Sequence, residues 1–418
     1  MSKDNSKKKT IKLLPKSIGL KIVLFVELII ALAFLVLLTL MDAFPKKYTA
    51  IMLGMMFMLI IVSWIMMAYR GRQKAVRIFG TAMASIMIIM YGAISYYLGN
   101  TFAMFARIST SNTKSSNVKV TEEPFSVCIS GIDNWGEDGG IDTFGRSDVN
   151  MIVTVNPVTR KILLTSTPRD SYVTFSSLGA KDKLTHTGIY GIEETMDTVS
   201  EWMDVDFDFY LKVNFQTLVS LIDAIGGIEV QNDYEFNSWI REDLVYEKGT
   251  IHLDGMRALY FARERKNLGV TTGDAERILN QQKVIKATLN KVMSSKTILL
   301  HYNDMLKAMG GNMETNMSTK EMSALVKMQL EDLGTWTIEQ QATTGTTGRA
   351  PCASMGGREL SVFYVDEDSV EACSAKIQEV MNPSEEEIQA AKEYREKRAK
   401  ENKLNNQKKS FKDFFNMK

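Results

Sequence analysis

The chain has 418 residues, enough for one or two globular domains, and its 50 Lys+Arg against 49 Asp+Glu leave a formal net charge of +1. That balance excludes a broadly basic nucleic-acid-binding protein, so no nucleic acid is expected as a partner. Three cysteines are too few for a disulfide framework, and their spacing holds no structural zinc.

Three apolar runs open the chain, at 18–40, 49–69 and 78–98. Each is long enough for a helix rising about 1.5 Å per residue to cross about 30 Å of hydrocarbon. A cleaved signal peptide would carry one apolar region of about 7–15 residues, which excludes that reading. Lys3, Lys7, Lys8, Lys9, Lys12 and Lys16 precede the first run, and Arg70, Arg72, Lys74 and Arg77 separate the second from the third. The connection between the first two carries only Lys46 and Lys47 beside Asp42. The positive-inside bias therefore sets residues 1–17 in the cytoplasm, 18–98 as three transmembrane helices, and everything beyond outside the cell. Glu27, inside the first span, should face another helix, as a paired or protonated packing residue or as a functional relay.

Residues 99–123 are Ser/Asn/Thr-rich and read as a linker. From 124 to 382 strands and helices interleave. Apolar, β-rich runs at 125–132, 149–155 and 161–166 are followed by a helix at 189–203 and a strand at 209–213. A helix at 215–225 stops at Gly226-Gly227, and extended structure resumes at 228–230. Helices near 274–293, 320–330 and 367–381 and strands near 335–339 and 361–365 complete the series. The fold class is α/β: an N-terminal three-helix transmembrane region, then an extracellular α/β/α domain with a central mixed sheet. Residues 383–418 are charged and read as a solvated helical tail, basic at Lys403, Lys408, Lys409 and Lys412 near Phe411, Phe414 and Phe415. Cys128 sits mid-strand as a small buried hydrophobe, while Cys352 and Cys373 are open to either a disulfide or two free thiols.

Charge is concentrated in a few places. The loop after the first strand carries Asp133, Glu137, Asp138 and Asp142, and Arg146-Ser147-Asp148 leads into the second strand. Pairing those strands as a hairpin would bring Asp133 and Asp148 to one sheet edge, where two carboxylates with room for water suit Mg²⁺. A plain acidic surface loop is the alternative. The third strand runs into Pro168-Arg169-Asp170, placing Arg169 near that edge, and Arg263 and Arg265 follow the apolar run 258–262 with Glu264 between them. Residues two apart share a face only in extended structure. Asp274 is a candidate N-cap for the next helix, on which Arg277 and Gln281 share a face. Convergent guanidinium forks suit a di- or polyanionic ligand.

These residues resemble a known family. Gly131-Ile-Asp133, Gly145-Arg146-Ser-Asp148, Thr167-Pro-Arg169-Asp170-Ser-Tyr, Lys183-Leu-Thr-His186, Ile225-Gly-Gly-Ile228, Leu253-Asp-Gly-Met-Arg-Ala-Leu, Ala262-Arg263-Glu-Arg265 and Gly273-Asp274-Ala-Glu-Arg277 through Gln281-Gln282 are similar, in order, to the motifs of LytR-CpsA-Psr proteins.

The resemblance implies a membrane-anchored enzyme, chiefly of Gram-positive bacteria. It would transfer a glycopolymer, such as teichoic acid or capsular polysaccharide, from an undecaprenyl-pyrophosphate donor to peptidoglycan and form a phosphodiester. Carried over, Asp133 and Asp148 would hold Mg²⁺, with Mn²⁺ as a substitute. Arg169, Arg263, Arg265, Arg277 and Gln281 would grip the pyrophosphate, supported by Arg146 and Lys183. The catalytic set would comprise Asp133, Asp148, Arg169, Arg263, Arg265 and Asp170, the last a candidate base beside the loop acids. Membrane lipid completes the partners. Asn280 stands where many members have arginine, and Thr185 where asparagine is common. A polyprenyl-pyrophosphate hydrolase and a non-catalytic regulator that binds lipid-linked polymer are the alternatives.

Overall fold

The computed structural model describes residues 14–15, 17–42, 44, 46–69, 73–110, 116–132, 141, 145–265, 273–294, 301, 304–305, 307–331, 336–397 and 400. The chain divides into two compact units, 1–105 with 322–332, and 106–321 with 333–418.

In the first unit three described helices are long and apolar enough to cross a membrane: α1 (Ile18–Met41), α2 (Lys46–Ala68) and α3 (Lys74–Ile108). A helix satisfies every backbone group within itself, which hydrocarbon demands. Glu27 on α1 is buried, and the Ser63 hydroxyl on α2 lies 2.9 and 3.1 Å from its two oxygens. The carboxyl group thus occupies a packing position between helices. Phe34 and Tyr91 meet with ring centroids 5.1 Å apart, joining α1 to α3.

α3 does not stop at Leu98. Thr101, Met104, Phe105 and Ile108 are buried at helical spacing, so the helix continues to Ile108 through residues assigned to a linker. Beyond it, Thr110 N–H donates to Thr315 O at 2.8 Å, and its hydroxyl lies 2.7 Å from that of Tyr210. Ser116 Oγ donates to Asp208 at 3.0 Å. Thr110 and Ser116 thus have specific partners, while 111–115 lie outside the described residues.

The second unit begins with β1 (Phe125–Ile132), β2 (Ser147–Asn156), β3 (Lys161–Thr167), β4 (Tyr172–Thr174) and β5 (Lys181–Lys183). A 3₁₀ turn over Leu184–Ile189 precedes α4 (Ile192–Met203), and Gly191, at φ 115°, separates the two, which an unbroken helix from 189 did not anticipate. Then come β6 (Phe209–Asn214), α5 (Phe215–Ala224), β7 (Ile228–Asn232), β8 (Phe236–Asn237), β9 (Val245–Tyr246), β10 (Gly249–Leu253) and α6 (Gly255–Arg263). The series closes with α7 (Gly273–Val292), β11 (Met313–Thr315), α8 (Thr319–Glu331), β12 (Thr337–Ala342), β13 (Gly345–Cys352), β14 (Arg358–Val365) and α9 (Glu367–Met381).

The central sheet runs β11-β6-β1-β2-β3-β12 and is mixed: β1 and β3 are antiparallel to β2, while β6 and β12 are parallel to β1 and β3. Strand side chains alternate faces, and the core obeys that period. Ile152 and Leu163 pack with Val199 and Met203 of α4 and Ile377 and Val380 of α9. Met151, Val153, Ile162 and Leu164 pack on the opposite face with Ile285 and Leu289 of α7. Helices cover both faces, as the sequence pattern predicts.

The cysteines are three buried free thiols, so Cys352 and Cys373 form no bridge. The described part of the tail is a solvent-exposed helix, as its composition predicts, held to the domain at two points. Residues 385–397 are helical, Glu387 lies 3.6 Å from Lys161, and Arg395 donates to the Val158 carbonyl at 2.6 Å. The basic and aromatic residues beyond 400 lie outside the described residues.

Candidate active site

Several strand ends meet at one edge of the central sheet: β1 ends at Ile132, β2 begins at Ser147, β3 ends at Thr167 and β6 ends at Asn214. A bulge pairs Ile132 with Ser147 and Gly131 with Val149, which leaves Asp148 out of the ladder. Ser147 Oγ lies 2.7 Å from both Ser130 Oγ and Asn150 Oδ1, fixing the strand start beside Asp148. Pro168 follows β3, and Arg169 Nη1 then donates to Asp148 Oδ1 at 2.7 Å. Thr185 Oγ1 approaches the same oxygen at 3.5 Å.

α5 starts where β6 stops, with Asn214 Oδ1 accepting from Thr217 N–H at 2.9 Å as N-cap. α6 packs on it through Gly255, where an added Cβ would stand 2.2 Å from the Val219 carbonyl oxygen. Asp254 caps α6, accepting from Arg257 N–H at 2.8 Å. The helix ends at Arg263, and Glu264 is extended at φ −62°, ψ 136°. That change of backbone lets Arg263 and Arg265 face one cavity while Glu264 is fully buried. Sequence analysis assigned no element to 258–262; Ala258, Leu259, Phe261 and Ala262 are the buried face of α6. On α7, Arg277 and Gln281 line the cavity. Gln282 faces elsewhere, with Nε2 donating to Ser166 Oγ at 3.0 Å and Gln341 O at 2.6 Å. α7 begins at Gly273, one residue before the expected cap Asp274, whose side chain lies outside the described residues.

The cavity measures about 490 Å³. Asp148, Arg169, Arg263, Arg265, Arg277 and Gln281 give it a polar wall, and Val149, Phe215, Trp239 and Ile240 an apolar one. The Arg263 guanidinium stacks over Phe215, 4.7 Å from the ring centroid. Guanidinium groups thus outnumber carboxylates among the described lining residues, which favours an anion with several oxygens.

Other expected residues sit apart. Lys183 Nζ pairs with Asp170 Oδ1 at 2.6 Å, and neither residue lines the cavity. Arg146 is exposed and also absent from the lining. Asp133, Glu137, Asp138 and Asp142 lie outside the described residues. Asn280 is buried, and its Nδ2 finds no hydrogen-bond partner among the described residues. Phe215, Trp239 and Ile240 were missed by sequence analysis. In the sequence Gly226-Gly227 reads as a helix stop and as part of a family motif, and the stretch around Trp239 is given no role.

Asp182 braces the neighbouring motif from below. Its carboxylate accepts from Ser354 N–H at 2.6 Å and Lys183 N–H at 2.6 Å, and lies 2.7 Å from His186 Nδ1. Burial pushes the acid upward, but the hydrogen bonds from Ser354, Lys183 and His186 together outweigh it and hold Asp182 below the ordinary carboxylate value.

The LytR_cpsA_psr family model matches residues 94–379, well over half of the chain. The chain belongs to that family. Teichoic acid transferase TagU of Enterococcus faecalis, named in full polyisoprenyl-teichoic acid–peptidoglycan teichoic acid transferase, is 32% identical over 263 residues, 61% of this chain and 83% of that protein. Protein gbs0355 of Streptococcus agalactiae superposes with a TM-score of 0.53 at 28% identity, covering 65% of this chain and 93% of that one. TagV of B. subtilis follows at a TM-score of 0.50 and 27% identity, covering 62% and 98%. The α/β domain described above is thus the LytR-CpsA-Psr domain, and the arginine-lined cavity lies within its matched span.

Proposed function

We propose that this chain is a membrane-anchored phosphotransferase that moves a glycopolymer from an undecaprenyl-pyrophosphate carrier to a peptidoglycan sugar hydroxyl, outside the cell. The observation that carries this reading is the convergence of Arg169, Arg263, Arg265 and Arg277 on one cavity beside Asp148. The name of the E. faecalis relative, a teichoic acid–peptidoglycan transferase, supports the same donor and acceptor classes. Lysine and arginine flank the spans on the N-terminal side, which supports an external domain.

Phosphoryl transfer asks a protein for charge neutralisation and in-line positioning. The guanidinium groups bind the diphosphate oxygens and stabilise the charge that gathers on them as the acceptor oxygen forms its bond to phosphorus. The bond from that phosphorus to the bridging oxygen breaks, and polyprenyl phosphate leaves. The acceptor hydroxyl gives its proton to a carboxylate. Asp170, paired with Lys183 and 3.9 Å from the cavity residue Arg169, and the acids of the 133–142 loop are the candidates for that role.

Asp148 offers a hard carboxylate oxygen beside the anion subsite, the donor chemistry that Mg²⁺ takes. No group of three or more acids, histidines or cysteines among the described residues could hold a metal by itself. Asp148 and, by the family resemblance, Asp133 would hold the ion, which would neutralise phosphate charge.

The test is an assay with purified full-length protein, lipid-linked polymer, Mg²⁺ and peptidoglycan. Transfer leaves labelled polymer on the wall fraction. Release of free polymer instead would show a hydrolase, and normal attachment by a combined Arg263→Ala and Arg265→Ala variant would leave only a binding role.

A further inference from the structure

We propose that Trp239 and Ile240 form a rigid apolar lip against which the first sugar of the donor packs while its diphosphate lies on the arginines. This inference rests on the transferase reading above and assigns that site a sugar subsite. Both residues line the same cavity as Arg263 and Arg265, and Trp239 keeps 42% of its surface exposed. A large aromatic left half open beside convergent charges is a binding surface rather than core.

The lip is held in place by its own loop and by the arginine motif. Ser238 Oγ accepts from Ile240 N–H and Arg241 N–H, each at 3.2 Å, and Ser238 N–H donates to Leu244 O at 2.9 Å. Leu244 packs against the core of β7, β10 and α6. Trp239 N–H points at both oxygens of Glu264, at 3.3 and 3.2 Å. Glu264 is fully buried between Arg263 and Arg265 in sequence, so one carboxylate ties the lip to the two arginines. The spacing between an apolar face and the anion subsite is therefore set by the fold before any ligand arrives.

The surroundings favour a sugar over a hydrocarbon chain. Beside the arginines this loop offers two consecutive apolar residues, Trp239 and Ile240, before charge interrupts it. Arg241 and Asp243 follow at once, paired through 2.8 Å bonds and more than half exposed. A polyprenyl tail needs a continuous apolar track, whereas a sugar ring offers one apolar C–H face and a rim of hydroxyls. Trp239 matches the first, and the arginines and Gln281 of the same cavity wall match the second. Trp239 is a binding residue here, and Glu264 a positioning residue acting through it.

The experiment compares two ligands on the full-length protein: a polyprenyl pyrophosphate, and the same lipid carrying one N-acetylhexosamine on its diphosphate. Binding is measured by calorimetry for wild type, Trp239→Ala and Trp239→Phe. Trp239→Ala should weaken the sugar-bearing ligand about tenfold and leave the sugar-free one unchanged, while Trp239→Phe, which keeps a ring face, should recover most of the loss. Equal weakening of both ligands, or of neither, would overturn the sugar subsite. Wild-type protein that binds neither ligand would instead count against the transferase reading itself.

Discussion

Arg169 donates to Asp148 across 2.7 Å, joining the exit of β3 to the bulged entry of β2. This pair sets one guanidinium at the cavity wall and keeps the Asp148 carboxylate beside the cavity's arginines. Asp148→Asn retains the size of the side chain but removes its charge. The variant should need about tenfold more Mg²⁺ for half-maximal transfer, with its melting temperature nearly unchanged. An unaltered Mg²⁺ titration would remove Asp148 from the cation site.

Gly255 lets α6 approach α5 closely, and α6 carries Arg263 at its last turn. The atom that a new methyl group would meet is the backbone oxygen of Val219, which has no rotamer to yield. Gly255→Ala should cost about 1–3 kcal/mol of stability and also weaken diphosphate binding, because the helix must shift. Denaturant unfolding and calorimetry on the same variant read both effects.

Asp182 gives the domain an acid-sensitive brace. Its folded value is depressed below 3.8, so its contribution is fully present above that pH and is lost as pH falls through the folded value. Asp182→Asn should be less stable by about 2 kcal/mol at pH 7 and should lose less stability than wild type between pH 5 and pH 3, as about two units of acid titration then find no carboxylate there. Parallel acid limbs in thermal melts of the two proteins would assign the acid sensitivity to other groups.

Burial pushes the Cys128 thiol up to about 12, and burial followed by the charge of Asp182 pushes Cys352 up to about 11. Thiolate is the reactive form, so native protein at pH 8 should resist alkylation by iodoacetamide and label fully only in denaturant. Reductant should leave the melting temperature unchanged, since no bridge joins Cys352 to Cys373. Rapid labelling of native Cys352 would contradict its burial.

Much of this architecture is legible in the sequence because it rests on period. The two faces of β2 and β3 follow from strict alternation, and Arg277 and Gln281 share a face because four residues make about one helical turn. What escaped depends on tertiary contact. The run 258–262 is too short to betray a helix; it forms one with Asp254 as N-cap and Gly255 packed closely on Val219. Trp239 stands among charged residues and gains meaning only from Glu264, distant in sequence. Gly99–Ile108 was assigned by its polar neighbours, although Thr101, Met104, Phe105 and Ile108 already carry a helical stripe. Arg146 and Lys183 show the converse, since a motif position does not place a side chain in the cavity.

The most direct test is a crystal structure of the protein with a polyprenyl pyrophosphate and Mg²⁺. Diphosphate oxygens should lie within hydrogen-bonding distance of Arg169, Arg263, Arg265 and Arg277, with the metal on Asp148. A diphosphate bound elsewhere, with no phosphate oxygen on these guanidinium groups, would contradict the account.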